Sequence, residues 1–254
     1  MLTLGELEAI AIEAASEGAR VVRAAAGDLG TVQSKSTPTD PVTSLDIAAE
    51  RAIRAVLARR APDSSVVGEE GGVTGGSSGV GWVVDPIDGT VNLTYDLPVM
   101  SVSIAATTED EVVAGAVVDI LRGDVFSAAR GDGARLDGST IEPSSKSELA
   151  ASLIGTGFSY LPEGRAAEAE YLARVLPAGR DVRCFGSAAL NLCWVACARL
   201  DGFYQRNMQR WDFAAGEIIA KEAGAAIAHP RPENGHLMVA SGPRIHAELV
   251  RLVS

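Results

Sequence analysis

The chain has 254 residues, 47% of them hydrophobic and 22% charged, enough for a substantial core and too apolar for a disordered protein. Its formal net charge of −11 is the wrong sign for gripping a nucleic-acid backbone or an anionic membrane. Three cysteines, Cys184, Cys193 and Cys197, are too few and odd in number for a disulfide framework and fit a reducing cytoplasm.

Leu4, Leu7, Ala11, Ala14, Val21, Val22 and Ala25 recur at helical spacing and predict a helix over 4–26, stopped by Gly27. Glu6, Glu8 and Glu13 interrupt it, so it does not read as a secretion signal, and no later apolar run is long enough to span a bilayer. A second helix is predicted over 44–60, with Leu45, Ala48, Ala52 and Val56 as its buried stripe and Pro62 beyond its end. Val66 and Val67 predict a short strand that runs into Gly68-Glu69-Glu70. The glycine-rich residues 71–79 are expected to form a flexible loop within one sheet. Trp82-Val83-Val84 predicts a buried strand ending at Asp85, and strands at 99–106, 111–119 and 124–129 continue as an antiparallel meander.

From 150 onward strands and helices alternate: strand 152–156, helix 163–176, strand 181–184, helix 187–199, strand 202–206, helix 211–223, one more strand and a last helix from about 243. Cys193 and Cys197, four apart on one helix face, read as core thiols. The chain is thus expected to fold as one unit over 1–254. Helices on an antiparallel sheet make its first half (1–145), and an α/β arrangement its second (146–254).

Asp85-Pro86-Ile87-Asp88-Gly89-Thr90 is the most informative stretch. A strand delivers two carboxylates just as the chain turns, Pro86 stiffens the turn, and Gly89 permits close backbone approach. A helix starting at Thr90 would add free amides for an anion beside oxygen ligands for a hard cation, the pairing that metal-assisted phosphoryl transfer needs. An acidic turn that merely caps a helix is the simpler alternative. An aspartyl-phosphate mechanism of the Asp-x-Asp-Gly-Thr type does not fit, because two residues separate these carboxylates.

Glu69 and Glu70 follow the preceding strand, and the short glycine loop lets Glu69 lie near Asp85. Asp212 opens a helix, where it also complements the helix dipole. Gly186-Ser187-Ala188 opens another, almost wholly apolar helix whose N-terminus would face a ligand. Each feature has an ordinary reading alone, as a solvated pair or a capping residue; together they describe a site. His229, His236 and His246 come late in the chain and read as surface or structural residues, so no Ser-His-Asp arrangement competes.

Gly68-Glu69-Glu70, the stretch WVVDPIDGTVN from Trp82, GSAALNL from Gly186, WDFAAGEIIAKEAG from Trp211 and DPVTSLD from Asp40 resemble, in order, the signatures of the inositol monophosphatase family. The resemblance implies a layered αβαβα sandwich of the inositol monophosphatase and fructose-1,6-bisphosphatase type, a homodimer, two to three Mg²⁺ per active site and inhibition by Li⁺. It implies Glu69, Asp85 and the carbonyl of Ile87 as ligands of one metal, and Asp85, Asp88 and Asp212 as ligands of a second. Glu70 and Thr90 correspond to the groups that activate water, Asp46 to the partner of Thr90, and the amides of Gly89 and Thr90 to the phosphate site. Gly186, Ser187 and Ala188 correspond to residues that touch the alcohol portion of the substrate.

The activity implied is Mg²⁺-dependent hydrolysis of a small phosphate monoester, with inositol 1-phosphate first among substrates. Gln205 stands where the family commonly carries a Glu that contacts inositol hydroxyls, and Arg206 beside it offers a charge for a second anionic group. That departure keeps fructose 1,6-bisphosphate, histidinol phosphate and 3′-phosphonucleotides open as substrates. A metal-loaded site would also explain how a chain of charge −11 accepts a phosphate. A non-enzymatic or moonlighting binding role is the reading from another class; the presence of Glu69, Glu70, Asp85, Asp88 and Asp212 argues against the loss of chemistry and leaves a role alongside catalysis open.

Overall fold

The computed structural model describes residues 2–25, 30–34, 41–230 and 237–254. Helix α1 (Leu4–Ala24) starts at a reciprocal cap, in which Thr3 N donates to Glu6 Oε2 at 2.7 Å and Glu6 N donates to Thr3 Oγ1 at 3.3 Å. It ends slightly earlier than predicted, and its predicted stop, Gly27, lies outside the described residues. Two short strands, β1 (Val32–Ser34) and β2 (Pro41–Thr43), pair antiparallel before α2 (Ser44–Arg60). The buried face of α2 differs from the predicted stripe. Ala49, Ile53, Val56 and Leu57 point inward, and so do Asp46 and Glu50, while Ala48 and Ala52 are only partly covered. Two inward carboxylates blurred the apolar period from which the stripe was read.

The large sheet comprises β3 (Ser65–Gly68), β4 (Gly72–Thr74), β5 (Val80–Asp88), β6 (Ser101–Thr108), β7 (Glu111–Asp119), β8 (Val125–Ala129), β9 (Ala134–Leu136) and β10 (Ser139–Thr140). Strands β5 to β10 form the expected antiparallel meander, extended by the unpredicted hairpin β9–β10; β3 lies parallel to β5, and β4 pairs on its outer side. The predicted glycine loop is therefore partly strand. Strand β5 also does not end at Asp85. It runs on to Asp88 through a bulge, since Asp85 faces Ser103 and Asp88 faces Ser101, three steps against two. Pro86, which has no N–H to give, sits inside that bulge.

After the short helix α3 (Thr90–Thr94), the second part contains β11 (Leu153–Thr156), α4 (Pro162–Val175), β12 (Asp181–Cys184), α5 (Ala188–Ala196), β13 (Gly202–Arg206), α6 (Arg210–Ala223), β14 (Ala226–Ala228), β15 (Leu237–Ser241) and α7 (His246–Val253). Two strands thus stand where one was predicted near the end. They pair antiparallel, and the small sheet has the order β12-β11-β13-β15-β14.

Four apolar clusters define the layers. Helices α1 and α2 cover one face of the large sheet, with Leu7, Ile10, Ile53 and Leu57 against Trp82 and Ile104. Helices α5 and α6 cover its other face, with Leu190, Cys193, Ala215 and Ile219 against Val117 and Phe126. The far side of α5 meets the small sheet through Leu192, Phe203 and Met238. Helices α4 and α7 close that sheet from outside, with Tyr171, Val175 and Leu249 against Tyr204 and Val239. The result is the αβαβα sandwich. Cys193 is a core thiol as expected, whereas Cys197 is half-buried at the end of α5 and Cys184 is exposed.

The middle layer depends on one close approach. A Cβ on Gly216 of α6 would lie 2.8 Å from Leu192 Cβ and 3.2 Å from the Ala189 carbonyl of α5. Gly216→Leu is expected to force the two helices apart and to cost about 1–3 kcal/mol, read as a lower urea midpoint at unchanged slope. A midpoint equal to the wild type would show that the layer yields without cost.

Candidate active site

The parallel pairing of β3 with β5 sets Gly68 opposite Val84, so the next residues, Glu69 and Asp85, emerge side by side. Glu69 N extends the ladder to the Val84 carbonyl at 3.2 Å, and the two carboxyl groups lie within hydrogen-bonding reach. Asp85 is only 2% exposed, and its Oδ1 accepts from Ile87 N at 3.0 Å, a local turn that aims it across the bulge.

Asp88 ends β5 with 9% exposure. Three donors from the start of α5 hold it: Ser187 Oγ at 2.6 Å, Ala189 N at 2.7 Å and Ala188 N at 3.2 Å. The helix N-terminus that was expected to face a ligand is thus engaged with a carboxylate of the chain itself, an arrangement its dipole favours. Gly89 follows with φ 112°, and a Cβ there would come within 2.9 Å of the Val99 carbonyl, so glycine is required at this corner.

Thr90 opens α3 as predicted. Its Oγ1 lies 3.1 Å from Asp46 Oδ1 and 3.0 Å from the Ile87 carbonyl, and its one proton serves one acceptor at a time. Asp46 is fully buried, with Oδ2 accepting from Thr43 N at 2.8 Å and from Thr43 Oγ1 at 2.6 Å. One carboxylate thereby caps α2 and anchors Thr90. Asn92 ties α3 to the segment before α5 by donating to the carbonyls of Val99 (2.7 Å) and Phe185 (2.6 Å).

Asp212 lies in the first turn of α6, its Oδ2 accepting from Gln209 N at 2.7 Å, and its charge is felt at Asp85. Ser103 Oγ donates to the Trp211 carbonyl at 3.2 Å and so ties this turn to β6, the neighbour of the bulge. Glu70 lies half-buried in the turn after β3. The predicted residues therefore gather at one end of the large sheet and on the first turns of α3, α5 and α6.

Gln205 lies on β13, with its amide filling the space that a Cβ on Gly157 would take. Arg206 does not stand beside it. Successive side chains of a strand point to opposite faces, and Arg206 packs over the ring of Tyr171 on α4, 5.6 Å from its centre. The expected charge for a second anionic group is therefore turned toward the outer layer. His229 bonds Glu217 at 3.0 Å and His246 bonds Ser241 at 3.0 Å, both structural roles as expected, while His236 lies outside the described residues. Sequence reasoning passed over Ser103, and it passed over Glu50, one helical turn after Asp46 on the buried side of α2.

Electrostatics mark the cluster. Burial pushes the Asp85 carboxyl well above its ordinary range, and the nearby charges of Glu69, Asp88 and Asp212 push it further. Burial also raises Asp88, to about 6, against the pull of its donors Ser187, Ala189 and Ala188. The donors are all oxygen and the excess charge is negative, which suits a hard divalent cation. Among the described residues no three His, Cys, Asp or Glu side chains form a ready-made cage. Mg²⁺ does not require one, since it binds through one or two carboxylates and keeps several waters.

A pH dependence follows. The folded pKa of Asp88, about 6, exceeds its ordinary 3.8, so the metal-free folded state binds this proton more tightly than the unfolded chain does. That stabilisation is complete below the unfolded value and is lost as pH rises through the folded one. Metal-free wild type is expected to lose melting temperature relative to Asp88→Asn between about pH 4 and pH 7. Parallel curves for the two proteins would show that Asp88 titrates normally.

A model of the inositol monophosphatase family matches residues 3–254. Inositol-1-monophosphatase of Mycobacterium leprae is 43% identical over 94% of this chain and 90% of that protein. Nus factor SuhB of Pasteurella multocida is 36% identical over 96% of this chain and 94% of that one. The crystal structure of extragenic suppressor protein suhB from Bartonella henselae superposes with a TM-score of 0.90 at 30% identity, covering 96% of this chain and 97% of that chain. The same layered fold, with matches along nearly the whole length, establishes that the chain belongs to the inositol monophosphatase family of phosphoric monoester hydrolases.

Proposed function

We propose that the protein hydrolyses a small phosphorylated polyol, inositol 1-phosphate foremost, by attack of a water molecule in a Mg²⁺-dependent site. The observation that carries this reading is the pair of buried carboxylates Asp85 and Asp88, with the charges of Glu69 and Asp212 close by, beside the backbone corner at Gly89 and Thr90. Glu69, Asp85 and the Ile87 carbonyl would hold one ion, and Asp85, Asp88 and Asp212 a second; a third would be held chiefly through water. Bound there, Mg²⁺ would neutralise phosphate charge, acidify water and stabilise the leaving alkoxide.

The chain's own groups do the rest. Asp46 holds the Thr90 hydroxyl, and Thr90 with Glu70 orients the attacking water. The amides of Gly89 and Thr90 receive phosphate oxygens. Gly186, Ser187, Ala188 and Gln205 border the alcohol portion; because Ser187 and Ala188 also hold Asp88, the alcohol end and the metal end are one rigid piece. Gln205 keeps an acceptor for sugar hydroxyls and adds donors, but lacks the charge that Glu would bring to them. Fructose 1,6-bisphosphate, histidinol phosphate and a 3′-phosphonucleotide are the alternative substrates. The same reading includes inhibition by Li⁺, a homodimer, a cytoplasmic location, and no nucleic-acid or membrane partner. No helix of the described residues is long and apolar enough to cross a membrane.

A binding role alongside catalysis is the second reading, favoured by the relative named Nus factor SuhB. Phosphate release from the four substrates, with Mg²⁺, with EDTA, and with Li⁺ added to Mg²⁺, tests the catalytic reading. Turnover of inositol 1-phosphate is expected to need Mg²⁺, to fall with Li⁺, and to drop by at least about 100-fold in Asp88→Asn. A folded protein that neither turns over any of the four nor binds Mg²⁺ would leave only the binding role. Gln205→Glu is expected to raise kcat/KM on inositol 1-phosphate; an unchanged or lower value would refute a contribution from charge at that position.

A further inference from the structure

Helix α2 carries polar side chains that the reaction as described does not use. Glu50 follows Asp46 by one helical turn, and Arg54 follows Glu50 by another, so the three share a side of the helix. Glu50 is 2% exposed, a costly position for a carboxylate without donors. Two donors come from the turn that carries the acidic pair: Glu70 N reaches Oε2 at 2.8 Å, and Gly71 N reaches Oε1 at 2.9 Å. Arg54 Nε closes on the same Oε1 at 2.6 Å. The guanidinium continues along the segment, with Nη2 donating to the Gly72 carbonyl at 2.8 Å and Nη1 to Thr74 Oγ1 at 3.0 Å.

The fit leaves no slack. A Cβ on Gly68 would strike the Glu50 carboxyl, and one on Gly71 would lie 2.5 Å from Glu50 Oε1 and 3.0 Å from Arg54 Nε. The pairing of β3 with β4 joins Gly68 to Gly72 but does not itself aim Glu69 and Glu70, which lie in the turn between them. Resting on the hydrolase reading above, the geometry points to Glu50 and Arg54 as positioning residues: by gripping this turn they set where Glu69 and Glu70 stand relative to Asp85 and Thr90. Helix α2 is then a common ruler for both sides of the water site. Its first turn holds Thr90 through Asp46, and its next holds the Glu70 turn through Glu50. A pair that only stabilised the hairpin would change the melting temperature and leave the turnover of folded molecules alone.

Two variants of the full chain separate these roles. Glu50→Gln keeps the size but presents N–H groups where a backbone amide needs an acceptor. Gly71→Ala adds a methyl on an exposed residue, directed at the clamp and not at the core. At saturating Mg²⁺ both are expected to lower kcat for inositol 1-phosphate about ten- to a hundredfold with KM held within about twofold, because misplaced reacting groups cost turnover and not substrate affinity. In the metal-free protein the amides of Glu70 and Gly71 are expected to be protected from hydrogen exchange, and to exchange at least about tenfold faster in Glu50→Gln while Ala188 and Ala189 keep their protection. An active wild type with unchanged kcat in both variants, or unprotected Glu70 and Gly71 amides in the wild type, would overturn the positioning role. A wild type without turnover on any of the four substrates, yet with the clamp amides protected, would sink the hydrolase reading instead.

Discussion

The burial of Asp88 is the constraint on which the rest of the site depends. A carboxylate with 9% exposure is tolerable only with strong donors, and here all three come from the first residues of α5. That contact joins the end of a large-sheet strand to the middle layer. Helix α5 is in turn seated against α6 by the missing side chain of Gly216, and α6 brings Asp212 on its first turn. The separation between Asp88 and Asp212 is thus decided by helix packing, not by either loop.

Charge is handled on two scales. The whole molecule is acidic, yet its remote charges are screened over about 8 Å at physiological ionic strength. The decisive field is local, where the charges of Glu69, Asp88 and Asp212 raise the proton affinity of Asp85, and Glu69 adds to that of Asp88. Mutual repulsion in such a cluster is relieved by protons or by cations, so it favours a small hard ion. Arg206 illustrates the complementary economy: packed over Tyr171 on the outer layer, it leaves the acidic cluster without a competing internal cation from β13.

Much of this was legible in the sequence because strand-to-turn chemistry is local. Asp85 to Thr90 announces a strand end, a tight corner and a helix start, and each is there, although the strand continues through a bulge that no residue pattern counts. The side-by-side emergence of Glu69 and Asp85 followed from a short connection between two strands. The inner face of α2 was misread because Asp46 and Glu50 occupy positions where a periodicity argument expects apolar residues; carboxylates face inward there because each also meets a donor from a segment distant in the chain. The direction of Arg206 was a matter of strand alternation, readable once β13 is placed. The hairpin β9–β10 was within reach of sequence reasoning: Asp137-Gly138, both at positive φ, is a familiar two-residue turn signal. The engagement of the α5 N-terminus by Asp88 was not, because nothing local to residues 186–189 reveals what approaches them.

The Asp88–Ser187 contact has a kinetic consequence. It spans 99 residues of chain, and Thr90–Asp46 spans 44. Closing loops of that size is entropically unfavourable until the layers they join have formed, so contacts of this kind mature late in folding. A nascent chain released before α5 emerges would carry Glu69, Asp85 and Asp88 with Asp88 deprived of its donors, an exposed acidic patch with no reason to stay together. The site is a property of the completed molecule, and synthesis has to pass residue 189 before Asp88 has all three donors that hold it.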